Sequence, residues 1–288
     1  MRHAFLFFAL SLPFGTHAVQ CQSLPGGVAG TYCVYPGQTQ TNSDIVYFFP
    51  REKQKPSVWG EDTSYPEQIR QYWIRQELAA PTVVSISIGA SNLLRSKSAR
   101  VSGDLESMAQ KVIPVIEASL GGLKGQRTVI GESFGGLSAA QLALRTDLFD
   151  KLATLCTPMT TDLTPFSTPE QIEAHVKASA VYHFLGASSL AMLNKTQQDT
   201  LNVLKTYFPT PADWQQADPI ALTVNASSQR HFMAVHVQAG YHDTFSLYQG
   251  NEEFVRRLTA RGLQMDWRPQ SGGHCDVDVV SLADFLAY

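Results

Sequence analysis

The chain has 288 residues, of which 44% are hydrophobic and 16% are charged, and its formal net charge is −3. This is an ordinary globular composition, and the length allows one large domain or two small ones. The weak negative charge excludes the basic footprint of a nucleic-acid-binding protein, so no nucleic-acid partner is predicted.

Residues 1–18 have the pattern of a secretory signal peptide. A short basic start, Met1-Arg2-His3, precedes an apolar segment from Ala4 to Phe14, and a small residue ends the region. About 12 apolar residues are too few to span a bilayer. Cys21 lacks the preceding small residue of a lipoprotein site, which leaves lipidation as a minor alternative. We predict a secreted or periplasmic protein that starts near Val19 and has no stable membrane anchor.

Export favours disulfides among the four cysteines. Cys21 and Cys33 are close in sequence and are predicted to join two early strands. Cys156 and Cys275 each follow a predicted strand, so they are predicted to meet at one edge of a sheet; two free, buried thiols are the alternative. No C-x-x-C motif or histidine cluster is present, so the sequence predicts no metal and no cofactor.

Strands and helices alternate along the first half of the chain. Apolar residues at helical spacing define the helices, and unbroken apolar runs define buried strands. In order, the predicted elements are strands at Thr31–Tyr35 and Asp44–Pro50, an irregular polar segment to Tyr65, a helix from Pro66 to about Ala79, a strand at Thr82–Ile88, a helix from Asp104 to about Leu120, a strand at Thr128–Ile130, a helix to Arg145 and a strand at Lys151–Cys156.

Residues 157–228 interrupt this alternation. They contain no clear strand, and helical patterns fall at Pro169–Ala180, Ala187–Asn194 and Gln197–Tyr207. The alternation then resumes with a strand at His231–Gln238, a helix at Ser246–Arg261, a strand at Leu263–Pro269 and a helix from about Val277 to Leu286. We therefore predict one domain over residues 19–288 with a helical cap inserted at about 157–228.

Strands alternating with helices favour an α/β fold, in which a mostly parallel sheet carries helices on both faces. In such sheets, the residues that bind or react lie after the carboxyl ends of strands. Functional side chains are therefore expected directly after the predicted strands.

Residues 127–137 have the pattern of a nucleophile elbow. A short strand leads into the G-x-S-x-G motif Gly131-Glu132-Ser133-Phe134-Gly135, and a helix-compatible run follows. This strand–turn–helix lifts the serine hydroxyl above the sheet, and the glycines let strand and helix approach closely. Ser133 is the predicted nucleophile, and an ordinary Ser/Gly turn is the alternative.

Two further residues complete a catalytic triad in the expected order of serine, acid and histidine. Asp243 follows the strand ending at Gln238, and His274 follows two glycines after the last strand. An imidazole makes a serine hydroxyl nucleophilic by taking its proton, and a carboxylate fixes the tautomer of that imidazole. The sequence therefore predicts Asp243 as the orienting acid and His274 as the base.

Asp162 is the alternative acid, because it also follows a predicted strand. His183 and His242 are expected to line the site rather than act as the base. His231 and His236 fall within a strand and are expected to be packed or surface residues.

The oxyanion formed at the attacked carbonyl needs backbone N–H donors. Phe134, the residue after the nucleophile, is the first predicted donor. The second is expected from the loop after Phe49, where Pro50 has no N–H and Arg51 is the candidate. The segment at Gly89 is the alternative source.

The ordered motifs Asp44–Pro50, Gly131-Glu132-Ser133-Phe134-Gly135-Gly136, Gly240-Tyr241-His242-Asp243 and Gly272-Gly273-His274 resemble those of the α/β-hydrolase superfamily. Within it, the chain looks most like the putative esterase group, which includes esterase D and feruloyl-esterase-like proteins. The resemblance covers essentially all of the mature chain and implies an α/β-hydrolase fold. Many relatives have His-Gly where this chain has Pro50-Arg51, a difference that falls in the oxyanion loop.

The leading interpretation is an exported serine hydrolase that cleaves small-molecule carboxylic esters through a covalent acyl-enzyme. The cap is expected to cover the site, and several aromatic residues are candidates for an apolar pocket: Trp59, Tyr182, Phe184, Tyr207, Trp214 and Tyr241. The same triad serves peptidases, thioesterases and acyltransferases. A non-catalytic binding protein on this scaffold is the remaining hypothesis, and the sequence predicts no oligomeric state.

Overall fold

A computed structural model describes residues 20–37, 43–61, 64–95, 103–161, 163, 167–226 and 234–288. The predicted signal peptide at residues 1–18 lies outside the described residues, as do Asp162 and His231. Within the described ranges, no helix is both long enough and apolar enough to cross a membrane.

One eight-stranded sheet forms the centre of the molecule. Its strands, β1 to β8 in chain order, are Gln20–Ser23, Thr31–Tyr35, Ile45–Phe49, Thr82–Ser87, Arg127–Glu132, Lys151–Leu155, Ala234–Gly240 and Met265–Gln270. Across the sheet they stand in the order β1-β2-β4-β3-β5-β6-β7-β8. The first two pairs are antiparallel, and the five pairs from β4 to β8 are parallel. The predicted mostly parallel α/β sheet is confirmed.

The α-helices surround this sheet. In chain order, α1 to α11 are Tyr65–Arg75, Asp104–Ser107, Ile113–Ser119, Phe134–Arg145, Pro169–Ala178, Ala180–Leu185, Leu190–Tyr207, Pro211–Ala217, Pro219–Leu222, Tyr248–Ala260 and Val279–Ala287. Short 3-10 helices lie at Pro56–Gly60, Ala187–Ser189 and Thr223–Asn225, and a π-helical turn lies at Met108–Val112.

Strand β3 shows why the sheet needs helices on both faces. All five of its residues are buried. Tyr47 and Phe49 join the core beneath α2, α3, α4 and α10, whereas Val46 and Phe48 join the core beneath α1 and α11. Successive strand residues point to opposite faces, so an unbroken apolar strand must be covered twice.

The segment between β6 and β7 is helical where it is described, and α5 to α9 form a cap. Apolar residues of α5, α6 and α7 pack on one another in a small core of their own. A second cluster joins the cap to the elbow, because Leu204 and Trp214 pack with Phe134 and Leu137 at the start of α4. The cap therefore lies against the turn that carries Ser133.

Three predicted elements need correction. The segment predicted as irregular contains the 3-10 helix Pro56–Gly60, held by Trp59, which is fully buried and packs on Phe48 at 5.0 Å. The predicted helices Ala187–Asn194 and Gln197–Tyr207 are largely one helix, α7. The polar residues near Lys195 do not end the helix, because they face solvent on its surface, where Lys195 pairs with Asp199 one turn later.

The predicted helix from Asp104 to about Leu120 is interrupted by the π-helical turn at Met108–Val112. Pro114 lies two residues after this turn and has no N–H to donate one turn back, which accounts for the change of hydrogen-bond pattern there. Both predicted disulfides are present, Cys21–Cys33 between β1 and β2 and Cys156–Cys275 at the carboxyl edge of the sheet.

Candidate active site

Ser133 lies at the turn between β5 and α4 in a backbone conformation that few residues other than glycine adopt. Its φ is 52° and its ψ is −121°, and only 5% of the residue is exposed. Strain of this kind costs about 1–3 kcal/mol and persists only where surrounding contacts hold it. The Ser133 N–H donates to the Leu155 carbonyl at 2.8 Å, so the turn is held by the end of β6.

The glycines on either side of Ser133 permit an unusually close approach of backbones. A Cβ on Gly131 would lie 2.2 Å from the Gly135 carbonyl oxygen. A Cβ on Gly135 would lie 2.1 Å from the carbonyl oxygen of Phe49 and 2.5 Å from that of Pro50. The segment after β3 therefore lies directly against the start of α4, as an oxyanion-binding arrangement requires.

His274 and Asp243 form a hydrogen-bonded pair at the same edge of the sheet. His274 Nδ1 lies 2.8 Å from Asp243 Oδ2, and the Asp243 side chain is fully buried. The second carboxylate oxygen accepts from the Phe245 N–H at 2.7 Å. The Phe245 ring packs against the His274 imidazole, with 4.3 Å between the ring centroids, and so helps to hold the imidazole in place. A carboxylate on Nδ1 leaves Nε2 as the proton-accepting nitrogen.

The loops after β7 and β8 fix this pair because they are bonded to each other. The Tyr241 N–H donates to Gln270 at 2.8 Å, and the His242 N–H donates to Gly272 at 3.0 Å. A Cβ on Gly240 would meet the Gly273 carbonyl oxygen at 2.1 Å, so the two loops are in backbone contact. The acid and histidine loops therefore form one unit.

The Cys156–Cys275 disulfide ties that unit to the nucleophile. Cys275 follows His274 directly, and Cys156 follows Leu155, whose carbonyl holds the Ser133 N–H. The sequence predicted this pair from strand ends alone. Its consequence for the site is that the histidine loop and the elbow share a covalent connection through the end of β6.

The hydrogen bond expected between the predicted nucleophile and the predicted base is not formed in this conformation. Among the described residues, the Ser133 hydroxyl donates no hydrogen bond to His274, although both belong to loops at the same edge of the sheet. Catalytic hydrogen bonds are often long or poorly aligned without substrate, so Ser133 and His274 both stay candidates for the site.

The two predicted oxyanion donors lie on segments in backbone contact. Phe134 is the first residue of α4, and Arg51 follows the Phe49–Pro50 segment that contacts Gly135. Within the described ranges neither N–H donates a hydrogen bond, so both remain open to a ligand. Asn92 Nδ2 donates to the Arg51 carbonyl at 2.8 Å and fixes this loop, a role that the sequence did not indicate.

Glu132, the residue before the nucleophile, is a buried carboxylate that the sequence analysis did not single out. Only 4% of it is exposed, and the Arg51 side chain lies 3.8 Å away. Burial raises the pKa of Glu132, whereas the positive charge of Arg51 opposes that rise. The Arg51 side chain therefore links the oxyanion loop to the elbow, in addition to the predicted role of its N–H.

Two adjoining cavities lie between the cap helices and the segment after β7. The larger, of about 420 Å³, is lined by Asp243 and by His183 of α6. The smaller, of about 220 Å³, is lined by Phe245 and by residues of α7, and His175 lines both. The cap and the acid loop thus enclose space beside Asp243, and neither of these two cavities is lined by Ser133 or His274.

The predicted aromatic residues separate into core and rim. Trp59 and Trp214 are fully buried and belong to the core. Phe184 is 68% exposed and its ring stacks on His242 at 4.4 Å, while the exposed Tyr241 ring meets His242 edge-on. A cap residue therefore lies over the acid loop at the rim of the site.

His236 is buried in β7, away from the triad candidates, with Nδ1 2.7 Å from Asp266 Oδ2. Burial lowers its pKa, and the bond to Asp266 opposes that change. Asp278 caps α11, because its side chain accepts a hydrogen bond from the Ser281 N–H. Asp162, the alternative acid, lies outside the described residues.

Comparison with protein families gives one match. The family model described as "Putative esterase" matches residues 54–277, which is well over half of the chain. A sequence comparison with curated proteins finds none that matches.

Solved structures with the same fold include several esterases. A ferulic acid esterase has a TM-score of 0.63 and 16% identity over 93% of this chain and 96% of its own. An S-formylglutathione hydrolase from Agrobacterium tumefaciens has a TM-score of 0.56 and 12% identity over 93% of this chain and 91% of its own. The acylaminoacyl peptidase of Pyrococcus horikoshii has a TM-score of 0.56 and 9% identity, covering 89% of this chain but 37% of its own.

Proposed function

We propose, from the premise that this chain belongs to the putative esterase family, that it is an exported serine hydrolase acting through Ser133, His274 and Asp243. The family assigns carboxylic ester hydrolysis on an α/β-hydrolase fold. The observation that supports these residues most strongly is the His274–Asp243 pair, bonded at 2.8 Å beside a serine with φ 52°.

In the acylation step, the Ser133 oxygen attacks the ester carbonyl while His274 Nε2 takes the hydroxyl proton. Asp243 holds the imidazole through Nδ1 and stabilises the imidazolium. The oxyanion accepts hydrogen bonds from the Phe134 and Arg51 N–H groups. His274 then gives its proton to the departing alcohol, which leaves an acyl group on Ser133.

In the deacylation step, a water molecule takes the place of the alcohol. His274 accepts a proton from the water as it attacks the acyl carbonyl. The second tetrahedral species then collapses to release the acid, and His274 returns the proton to the departing Ser133 oxygen, which regenerates the hydroxyl and the neutral imidazole. Both steps use the same oxyanion donors, so a fault in that loop slows both.

The cap, residues 157–228, is proposed as an insertion that selects the substrate. Its helices enclose the cavities beside Asp243 and Phe245, and Phe184 adds an exposed ring at the rim. These features support an ester with an apolar or aromatic group. A signal peptide at residues 1–18 is proposed to direct export, and two disulfides are compatible with an oxidising compartment.

The direct test is labelling with a fluorophosphonate probe, which reacts with an activated serine. The mature protein should take up the probe at Ser133, and Ser133→Ala should not. Asp243→Asn should lower kcat about 10⁴-fold with the fold kept, because an amide cannot hold the required tautomer. Asp276→Asn is the matched control, a carboxylate two residues from His274 that does not bond to it.

A substrate panel separates the alternatives. Hydrolysis of short-chain aryl esters, without hydrolysis of peptides or thioesters and without acyl transfer to an acceptor, supports an esterase. A folded wild type that takes up no probe at Ser133 contradicts the proposed mechanism, and ligand binding without turnover indicates a binding protein.

A further inference from the structure

The disulfide beside the catalytic histidine brings three strong metal ligands into one cluster. The Cys156 and Cys275 sulfurs and a His274 ring nitrogen all lie within 4.8 Å of one another. While the sulfurs are bonded to each other, neither is a thiolate, and the cluster binds nothing as a metal site. Its chemistry changes when that bond is broken.

We propose that reduction of the Cys156–Cys275 disulfide creates a zinc site in which His274 becomes a ligand, so that the enzyme is inhibited reversibly by a thiophilic cation. The inhibition rests on the proposed function, because it requires His274 to be the base. The metal site itself does not.

The reaction balances with a dithiol as the named reductant. The dithiol is oxidised to its cyclic disulfide, and its two electrons and two protons convert Cys156 and Cys275 to thiols. Zn²⁺ then binds both sulfurs as thiolates and one imidazole nitrogen, and the two thiol protons pass to solvent. A thiol oxidant, or a disulfide exchanged against the reduced pair, restores the starting state.

The spacing suits a tetrahedral zinc site. Zn–S bonds of about 2.3 Å and Zn–N bonds of about 2.0 Å put ligand atoms about 3.5–3.8 Å apart. The imidazole nitrogen, within 4.8 Å of both sulfurs, needs to move by about 1 Å, and the two sulfurs, once reduced, need to separate by about 2 Å. The Cα atoms of the two cysteines are 5.1 Å apart, so their backbones are already close. Thiolate and imidazole ligands select Zn²⁺ over Mg²⁺ or Ca²⁺, and two thiolates neutralise the cation.

The hydrogen bond that His274 Nδ1–H donates to Asp243 orients the third ligand. It occupies His274 Nδ1 and leaves Nε2 as the free nitrogen. A carboxylate on the second nitrogen of a metal-bound histidine is the usual outer contact of such sites. The proposal assigns to zinc this free nitrogen, the same one that takes the Ser133 proton in the proposed reaction.

Access to the cluster comes from the histidine side. Cys156 is buried, whereas Cys275 and His274 are half-buried. A reductant or a cation therefore reaches the Cys275 sulfur and the imidazole first. Once zinc holds Nε2, the base has no lone pair for the serine proton, and turnover stops without damage to the protein.

The test uses the mature protein in a Cys21→Ser/Cys33→Ser background, so that one cysteine pair remains. After reduction and removal of the dithiol, Zn²⁺ should abolish ester hydrolysis in proportion to the metal bound. Loss should approach the roughly 10⁶-fold that removal of the histidine costs in a serine protease. A chelator should restore activity, and the oxidised protein should be insensitive.

Metal binding is read separately in Ser133→Ala, which has no activity to lose. Reduced protein should bind Co²⁺ with thiolate-to-metal absorption in the near ultraviolet, and Cys156→Ser/Cys275→Ser should not. His274→Ala should weaken the binding, because it removes the imidazole ligand. Circular dichroism of the reduced protein checks that the fold is retained.

Absence of thiolate absorption in the reduced protein overturns the proposal, as does inhibition that is equal in the oxidised protein. Equal Co²⁺ affinity with and without His274 also overturns it, because the imidazole is then not a ligand. Failure of the proposed function looks different: the oxidised protein would take up no fluorophosphonate, while the metal-binding readout would be unaffected.

Discussion

Replacing Gly135 by alanine should abolish most activity while leaving the triad in place. The new Cβ would lie 2.1 Å from the Phe49 carbonyl oxygen, whereas a real Cβ needs at least 3.0 Å, so one backbone must move by about 0.9 Å. The movement separates the Phe134 N–H from the loop that carries Arg51, the two proposed oxyanion donors.

The magnitude follows from what an oxyanion donor contributes. Loss of one such donor costs about 2.7–4 kcal/mol, or about 10²–10³ in kcat. A displacement of about 1 Å at a reacting centre has an effect of similar size, about 10²-fold. We therefore expect kcat for an aryl ester to fall about 10²–10³-fold, with little change in KM.

The control is a similar collision far from the site. A Cβ on Gly37 would lie 2.4 Å from the Ala80 carbonyl oxygen, so Gly37→Ala should destabilise the fold without lowering kcat. Steady-state kinetics and thermal unfolding are measured for both variants. A folded Gly135→Ala protein with kcat within about threefold of the wild type would refute this account of the oxyanion loop.

Two further predictions concern stability and substrate binding. Burial lowers the pKa of His236 below its ordinary value of 6.5, so at acidic pH the unfolded chain binds more protons than the folded one. The free energy of unfolding should therefore fall as the pH drops below about 6.5. In urea titrations at about pH 7.5 and about pH 5.5, His236→Gln should make the free energy of unfolding less dependent on pH. Phe184→Ala should raise KM for aryl esters about two- to tenfold, which corresponds to the loss of an aromatic contact of about 0.5–1.5 kcal/mol. It should leave KM for alkyl esters and the unfolding midpoint unchanged. Leu185→Ala, the exposed neighbour, serves as its control.

The sheet and the elbow were predictable because their signals are local. Unbroken apolar runs such as Ile45–Phe49 fit a strand buried on both faces, and G-x-S-x-G between a strand and a helix fits one turn geometry. The expectation that Ser133, Asp243 and His274 lie after strand ends came from the rule that parallel strands end at one edge. The Cys156–Cys275 disulfide followed from the same rule, and the Cys21–Cys33 disulfide followed from the closeness of the two residues in sequence.

Features that depend on distant contacts were not predictable. The 3-10 helix at Pro56–Gly60 is too short to show a period, and it forms because Trp59 fits between Phe48 and Trp73. The pairing of Arg51 with Glu132 joins residues 81 positions apart, and no local pattern reports it. The contact of Phe184 with His242 depends on how the cap folds back, which the helical pattern of the cap does not specify.

The order of strands in the sheet makes the loop that carries His274, the proposed base, a late product of folding. The pairs that hold the Ser133 turn, β3–β5 and β5–β6, lie within about 110 residues of sequence. The histidine loop needs β7 and β8, and β7 must find β6 across the whole cap before β8 can add to it. Because pairings of large sequence separation form slowly, we expect the turn that carries Ser133 to form first and the loop that carries His274 to form last. Recovery of hydrolysis during refolding therefore indicates that the sheet is complete. A chain that is compact but still inactive has not yet added β7 and β8 to the sheet.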